Sequence, residues 1–159
     1  MYSHNPRKEF YMIKPNIQIR ALTENDTPMV TELDDLAIQN IANMLDCENY
    51  AYGLFFEHQL VAYCTIGGAD CCETSMIVNH PAYQDDSLLL SDVFTIPEYR
   101  NKQFASRLIH HVLQLHAPEG NPTVFIQLLD DNLAKFYQRF GFTWCDHTCE
   151  YCMVRCPKH

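Results

Sequence analysis

The stretch that most constrains the fold of this chain is "SLLLSDVFTIPEYRNKQFASRLI", residues 87–109. Its first nine residues carry few polar side chains, which is typical of a strand buried on both faces. Pro97 ends that strand, and Phe104, Leu108 and Val112 then recur at helical spacing. The free N–H groups of the first helical turn, together with the helix dipole, suit a phosphate group. An ordinary strand–turn–helix joint without a ligand is the alternative.

The part of the chain before this stretch predicts strands and one helix. Residues 17–22 alternate as in a first strand, and residues 50–68 predict two strands joined by a tight turn at Glu57–Gln59. Between them, Thr27 followed by Pro28 predicts the start of a helix. Residues 69–86 are mostly polar and predict a loop with one short helix.

The part after it predicts a strand, a helix and two closing strands. The strand is 122–129, and Asp131 or Asn132 is expected to cap the helix that follows. Gly141 supplies the left-handed turn that ends this helix. The inner face of the helix is predicted from Leu133, Phe136, Tyr137 and Phe140. This order of elements predicts a mixed α/β sheet.

Length and charge narrow the function further. The 159 residues show no linker, so we expect one domain over 1–159 with 1–16 as an N-terminal extension. A formal charge of −9 argues against nucleic acid as a partner and is compatible with a cationic small molecule. No segment approaches the ~18 apolar residues of a membrane-spanning helix. The first residues have no apolar core of the signal-peptide type, so a cytoplasmic location is expected.

Two motifs resemble those of the GNAT superfamily, the acyl-CoA-dependent N-acetyltransferases. "FTIPEYRNKQFASRLI" is similar to the family's V-x-P-x-x-R followed by R/Q-x-x-G-x-G/A, and "DDNLAKFYQRFGF" to its N-x-x-A-x-x-x-Y-x-x-x-G-F. The resemblance covers roughly residues 17–156. It implies a GNAT-like fold, in which helices flank a twisted, mixed but mostly antiparallel sheet of six to seven strands. Gln103 departs from the motif, because it stands where the family prefers a glycine that lets the backbone approach a pyrophosphate.

The resemblance also implies the binding residues for acetyl-CoA. The backbone of residues 101–106 would cradle the pyrophosphate, with Arg100 beside it. The strand edge at Phe94–Ile96 would hold the pantetheine arm and steady the thioester carbonyl, and Asn132 would contact the cofactor near the pantetheine. The cofactor-binding residues expected in this way are Phe94, Thr95, Ile96, Arg100, Asn101, Lys102, Gln103, Phe104, Ala105, Ser106 and Asn132.

Two residues are the candidates for acid–base catalysis. By resemblance, Tyr137 would protonate the departing thiolate; a core aromatic without a catalytic role is the alternative. Asp92 is our candidate base for the attacking amine, because its apolar neighbours would desolvate it. A solvated strand-end carboxylate is the alternative reading of Asp92.

The predicted function is therefore acetyl transfer from acetyl-CoA to a primary amine of a small molecule, by direct attack in a ternary complex. The acidic loop residues Asp70, Glu73, Asp85 and Asp86 would attract a cationic amine, unless they form an ordinary solvated loop. A degenerate acyl-CoA-binding or interaction module without catalysis is the alternative, and Gln103 favours it. A homodimer through exposed edge strands stays open.

The cysteine-rich end, "TWCDHTCEYCMVRCPKH", raises a third reading, a metal site. Strand geometry argues against it, because residues advance about 3.3 Å and alternate faces. Cys152 and Cys156 would stand about 13 Å apart on one face, too far to share one zinc. A pair across the hairpin, Cys145 with Cys149 or Cys152, stays open as a weak site. We expect no metal.

Overall fold

The computed structural model describes residues 14–26, 28–29, 50–69, 75–145 and 152–158. Within them the chain forms one seven-stranded sheet in the order β1-β2-β3-β4-β5-β7-β6. All pairings are antiparallel except that of β4 with β5. The strands are β1 (Ile17–Ala21), β2 (Tyr50–Phe56), β3 (Gln59–Gly68), β4 (Leu88–Thr95), β5 (Val124–Gln127), β6 (Thr143–Trp144) and β7 (Cys152–Arg155). The mixed, mostly antiparallel sheet that the sequence predicts is confirmed.

Three α-helices have described bounds, and together with several single 3-10 turns they connect the strands. The α-helices are α1 (Ser75–Val78), α2 (Phe104–His116) and α3 (Ala134–Gln138). Pro28 and Met29 are helical, whereas Thr27 and the rest of the helix expected after it lie outside the described residues. No helix in the described ranges has the length and hydropathy needed to cross a membrane.

The hairpin of β2 and β3 turns where the sequence predicts it. Glu57 and His58 form the two-residue loop, and both have positive φ, 47° and 69°. Two residues with positive φ are typical of the tight turns whose twist matches a hairpin. The hairpin supplies the middle of the sheet, with Leu54, Val61 and Cys64 wholly buried.

Helices α2 and α3 cover one face of the sheet. The buried side chains of α2 are Phe104, Leu108, Ile109, Val112 and Leu113. They pack with sheet residues such as Leu90 and Ile126 in the largest apolar cluster, which also contains Tyr137 of α3. Each such side chain removed from water stabilises the fold by about 2 kcal/mol. The opposite face of β4, β5 and β7 carries Leu89, Phe125 and Val154, which pack against Ile77 of α1.

The entry into α3 differs from the sequence prediction. Asp130, not Asp131 or Asn132, is the capping residue, since its side chain accepts a hydrogen bond from the Asn132 amide at 2.9 Å. A 3-10 turn over Asp131–Leu133 precedes the helix, and Leu133 is exposed rather than on the inner face. A carboxylate can accept a hydrogen bond from the amide two residues later while its own residue stays outside the helix. This explains why the capping residue is Asp130 and not one of the two residues that follow it.

Candidate active site

Strand β4 leaves its parallel neighbour part-way along its length. β4 pairs with β5 only at Leu88–Leu90, against Val124–Ile126, yet it runs on to Thr95. Over that second half β4 stays bonded to β3, where Phe94 pairs with Tyr63. A wedge therefore opens between β4 and β5 beyond Leu90. This wedge also explains why the end of β4 is half-exposed, although the sequence predicts a strand buried on both faces.

A bulge at Asp92 accompanies this divergence. Asp92 has φ 52°, and the register of β3 against β4 shifts between Tyr63 and Thr65. A bulge adds one residue to a strand and bends it, and aspartate tolerates positive φ better than most residues. The buried Thr65 hydroxyl donates to Oδ2 of Asp92 at 2.9 Å and lies 2.8 Å from the Ser91 hydroxyl oxygen. The Asp92 carboxylate is thus oriented from the core while remaining half-exposed.

The backbone N–H groups of β4 alternate in direction, and this alternation determines which of them face the wedge. The Ile96 amide donates to the Val61 carbonyl of β3 at 2.9 Å. Because successive residues of a strand point their N–H groups to opposite sides, Phe94 also faces β3, and Val93 and Thr95 face the wedge. Of the strand residues expected to bind the pantetheine, the geometry therefore favours Thr95 and adds Val93.

Tyr137 lies across the same region on α3. It is 5% exposed, and its ring packs edge-on against Phe136 and Phe142. Burial raises the pKa of Tyr137 above its usual range, and the nearby Cys64 raises it further. The hydroxyl is therefore held in its proton-bearing form.

Cys64 connects the two candidate catalytic residues. Burial raises the pKa of the Cys64 thiol, and the charge of Asp92 raises it further. Since Cys64 also acts on Tyr137, both side chains lie within electrostatic range of one wholly buried thiol. Asp92 and Tyr137, which are 45 positions apart in the sequence, are thereby brought to one part of the sheet.

A cavity of about 330 Å³ lies where β4 passes into α2. Its turn contains two left-handed residues, Asn101 at φ 62° and Gln103 at φ 63°. Gln103 stands at the N-cap of α2 but makes no capping bond with its side chain, so the first-turn amides keep their free N–H groups. The residues that line the cavity are Thr95, Tyr99, Arg100, Asn101, Gln103, Phe104, Ala105, Ser106, Phe136 and Arg139.

Two arginines flank this cavity. Arg100 donates from Nε to the Thr95 carbonyl at 3.1 Å. Arg139 of the α3 C-terminus donates to the Ser106 hydroxyl at 3.1 Å, and its guanidinium lies 4.9 Å from the Phe136 ring centroid. A cation over an aromatic face is favourable, so the Phe136 ring helps to hold Arg139 over the start of α2. Sequence reasoning missed Arg139, although an aromatic residue three positions before an arginine on one helix is a readable signal.

Not all the predicted binding residues meet at the cavity. Ile96 and Lys102 line a different cavity, beside the β2–β3 turn, and the Lys102 ammonium lies 5.3 Å from the Tyr99 ring centroid. The Phe94 ring packs against Tyr63, with centroids 5.6 Å apart, and Asn132 is exposed in the 3-10 turn that precedes α3. Of the acidic loop residues, Asp85 and Asp86 are exposed, whereas Asp70 and Glu73 lie outside the described residues.

Comparison with known families and structures gives consistent results. The family model described as "Acetyltransferase (GNAT) domain" matches residues 51–144. No curated protein sequence matches the chain.

Among solved structures, a GNAT-family acetyltransferase from Staphylococcus aureus Mu50 is 14% identical with a TM-score of 0.67, over 90% of this chain and 100% of the other. A GNAT-family acetyltransferase from Brucella melitensis, in complex with acetyl-CoA, is 11% identical with a TM-score of 0.65, over 91% and 90%. The Escherichia coli GNAT-family N-acetyltransferase YhbS, in complex with CoA, is 16% identical with a TM-score of 0.65, over 89% and 81%.

Proposed function

The chain belongs to the GNAT family of acetyltransferases, and on that premise we propose that it transfers the acetyl group of acetyl-CoA to a primary amine of a small molecule. The observation that carries the proposal is the open edge of β4, which leads directly into the left-handed turn at the start of α2. The open edge of β4 provides hydrogen-bonding groups for an extended amide chain, and the turn provides free backbone amides for a diphosphate. We extend the proposal to one catalytic domain over 1–159, with 1–16 as an extension.

The wedge and the cavity fit the parts of acetyl-CoA in order. The amide-containing pantetheine arm lies along β4, where the groups of Val93 and Thr95 face the wedge. The diphosphate lies at the start of α2, against the amides of residues 101–106 and beside Arg100. Arg139, fixed by Ser106 and Phe136, adds a second positive charge at the same place. Phe104 contributes its backbone only, because its side chain is buried in the core.

The chemistry needs a base for the amine and an acid for the thiolate. An ammonium has no lone pair, so Asp92 removes a proton from the amine directly or through a water molecule. The amine then attacks the thioester carbonyl, whose developing negative charge is stabilised by backbone amides of β4. Tyr137 gives its proton to the departing thiolate, which avoids releasing a poor leaving group into an apolar region. No covalent enzyme intermediate is required.

The charge of the chain favours a cationic acceptor. The formal net charge is −9, and Asp85 and Asp86 stand exposed in the loop that precedes β4. Negative charge near an entrance raises the local concentration of a cation and its rate of association. A primary amine that carries a further positive charge elsewhere is therefore the preferred class of acceptor.

Calorimetric titration of the full chain with acetyl-CoA tests the binding half of this proposal. We expect saturable binding that weakens when Arg100 is replaced by Ala. Glu98→Gln serves as the matched control, because Glu98 is a nearby exposed residue that does not line the cavity. No detectable binding at millimolar acetyl-CoA would contradict the proposal.

One observation favours a second candidate, a binding module without catalysis. Gln103 places a Cβ and a polar side chain at a left-handed position of the phosphate turn, where glycine would leave the approach clear. Release of free thiol from acetyl-CoA across a panel of amines separates the two. Binding without amine-dependent thiol release, in wild type and in Asp92→Asn alike, would favour the binding module.

A further inference from the structure

The closing hairpin places two cysteines opposite each other. Cys145 follows β6 directly, and its amide donates to the carbonyl of Cys152, the first residue of β7, at 3.0 Å. The two sulfur atoms are 3.5 Å apart. Residues paired in this way have Cα atoms about 5.5 Å apart, which lies inside the range that a disulfide spans.

The surroundings hold the two thiols toward each other. Cys145 and Cys152 are 8% and 2% exposed, and both belong to the apolar cluster that contains Ile77 and Phe125. Side chains in a packed cluster have few other rotamers available. Forming a sulfur–sulfur bond of about 2 Å requires the two sulfurs to approach by about 1.5 Å, which small rotations of both side chains provide.

A route for an oxidant exists at this edge of the sheet. β6 has only two residues, Thr143–Trp144, both exposed, and among the described strands it pairs only with β7. A short edge strand opens locally at a much lower free energy than the centre of a sheet. Such opening exposes Cys145 to small molecules, whereas Cys64, in the middle of the sheet, is wholly buried.

We propose that Cys145 and Cys152 are a redox modification site that reacts with low-molecular-weight disulfides such as glutathione disulfide. One cysteine thiolate attacks the small disulfide, forms a mixed disulfide and releases one small thiol. The second cysteine thiolate attacks the protein sulfur of that mixed disulfide and releases the other small thiol. The protein loses two hydrogens and two electrons, and the small disulfide gains them. This site is independent of the acetyl-transfer proposal.

A bound metal is the rival use of two adjacent thiols. Structural zinc takes four ligands, of which this pair supplies two. Within the described ranges no group of three candidate ligands lies together. The short distance between the two sulfurs is what a disulfide needs, so the geometry points to oxidation of this pair rather than to metal binding.

The test uses the folded chain of residues 1–159, purified in its reduced form and incubated with glutathione disulfide. After alkylation of the remaining thiols, peptide mapping by mass spectrometry is expected to find Cys145 linked to Cys152, lighter by two hydrogens. Dithiothreitol should restore both thiols. The oxidised chain should also melt at a higher temperature than the reduced chain, because the bond ties an edge strand to its neighbour.

Variants separate this site from other cysteines. In Cys145→Ala the bond cannot form, and Cys152 is expected to stay a thiol or to carry one glutathionyl group. Cys156→Ala is the matched control, because Cys156 is exposed and the bond should form as in wild type. The wild-type measurement stands by itself if a variant does not fold. Two unmodified thiols after prolonged incubation, a bond that maps to another pair, or co-purified metal that blocks oxidation would each overturn the proposal.

Discussion

Replacing Tyr137 with Phe removes one hydroxyl from α3 and leaves the ring that packs against Phe136 and Phe142. Because the ring and its packing are kept, the free energy of unfolding should change by no more than about 1 kcal/mol, the typical net contribution of one hydrogen bond. A general acid typically contributes about 100- to 10,000-fold in rate. This corresponds to about 3–5 kcal/mol of activation free energy. Turnover should therefore fall by that factor while stability and acetyl-CoA affinity hardly change.

Three measurements on wild type and Y137F check this separation. Thiol release from acetyl-CoA with an accepted amine gives kcat, calorimetry gives the Kd of acetyl-CoA, and thermal unfolding gives stability. Phe142→Leu, a change to the other ring that packs against Tyr137, is the control for a packing effect. Turnover of Y137F within about threefold of wild type would refute the assignment of Tyr137 as the acid. Equal losses of turnover and stability in both variants would assign it a structural role instead.

The pH dependence of stability provides a second, independent comparison of wild type with Y137F. Burial raises the pKa of Tyr137 above its usual value of 10.0. The folded chain therefore holds this proton more tightly than the unfolded chain does above about pH 10. The difference in unfolding free energy between wild type and Y137F should be constant below that pH. Above it, wild type should lose stability relative to Y137F.

Three further predictions concern binding and stability. Gln103→Gly should relieve the strain of a left-handed residue, about 1 kcal/mol, and so raise the melting temperature by about 2–4 °C. It should also tighten acetyl-CoA binding in calorimetry. An unchanged affinity would show that the Cβ of Gln103 does not obstruct the cofactor. Arg139→Ala should weaken acetyl-CoA binding about 10- to 100-fold, as loss of a charged hydrogen bond does, whereas the exposed Lys135→Ala should not. The hydrogen bond from Arg20 lowers the pKa of Asp26 from 3.8 to about 2. Ionised Asp26 therefore stabilises the fold by about 2 kcal/mol above about pH 4, and this stabilisation is lost as the pH falls through about 2. Acid unfolding of Asp26→Asn should lack that component.

The elements that the sequence predicts well are those that depend on local pattern. The strand, proline and helix at 87–109 and the tight turn at Glu57–Gln59 follow from spacing and turn chemistry, and the structure places them within a few residues. The bulge at Asp92 and the wedge beyond Leu90 could not be predicted, because they depend on how β4 divides its hydrogen bonds between β3 and β5. No periodicity in one strand records that division.

The positions of the site residues are likewise only partly predictable from the sequence. The motif places Arg100–Ser106 near the cavity because they are contiguous, yet Lys102 faces another cavity, since a turn distributes its side chains on several sides. Arg139 belongs to the cavity only because α3 packs beside the start of α2. Cys145 with Cys152 is one of the two pairs that the sequence leaves open, and its proximity depends on the register of β6 against β7. The other pair involves Cys149, which lies outside the described residues.

The most direct test of the central claim is an amine-library assay that measures acetylated product and free CoA in the same reaction. Wild type, acetyl-CoA and each amine are incubated at neutral pH, with Asp92→Asn and Tyr137→Phe in parallel. We predict that at least one cationic primary amine is acetylated in equal amount to the CoA released, and that both variants are slower. Acetyl-CoA binding without any amine-dependent release of CoA would contradict it.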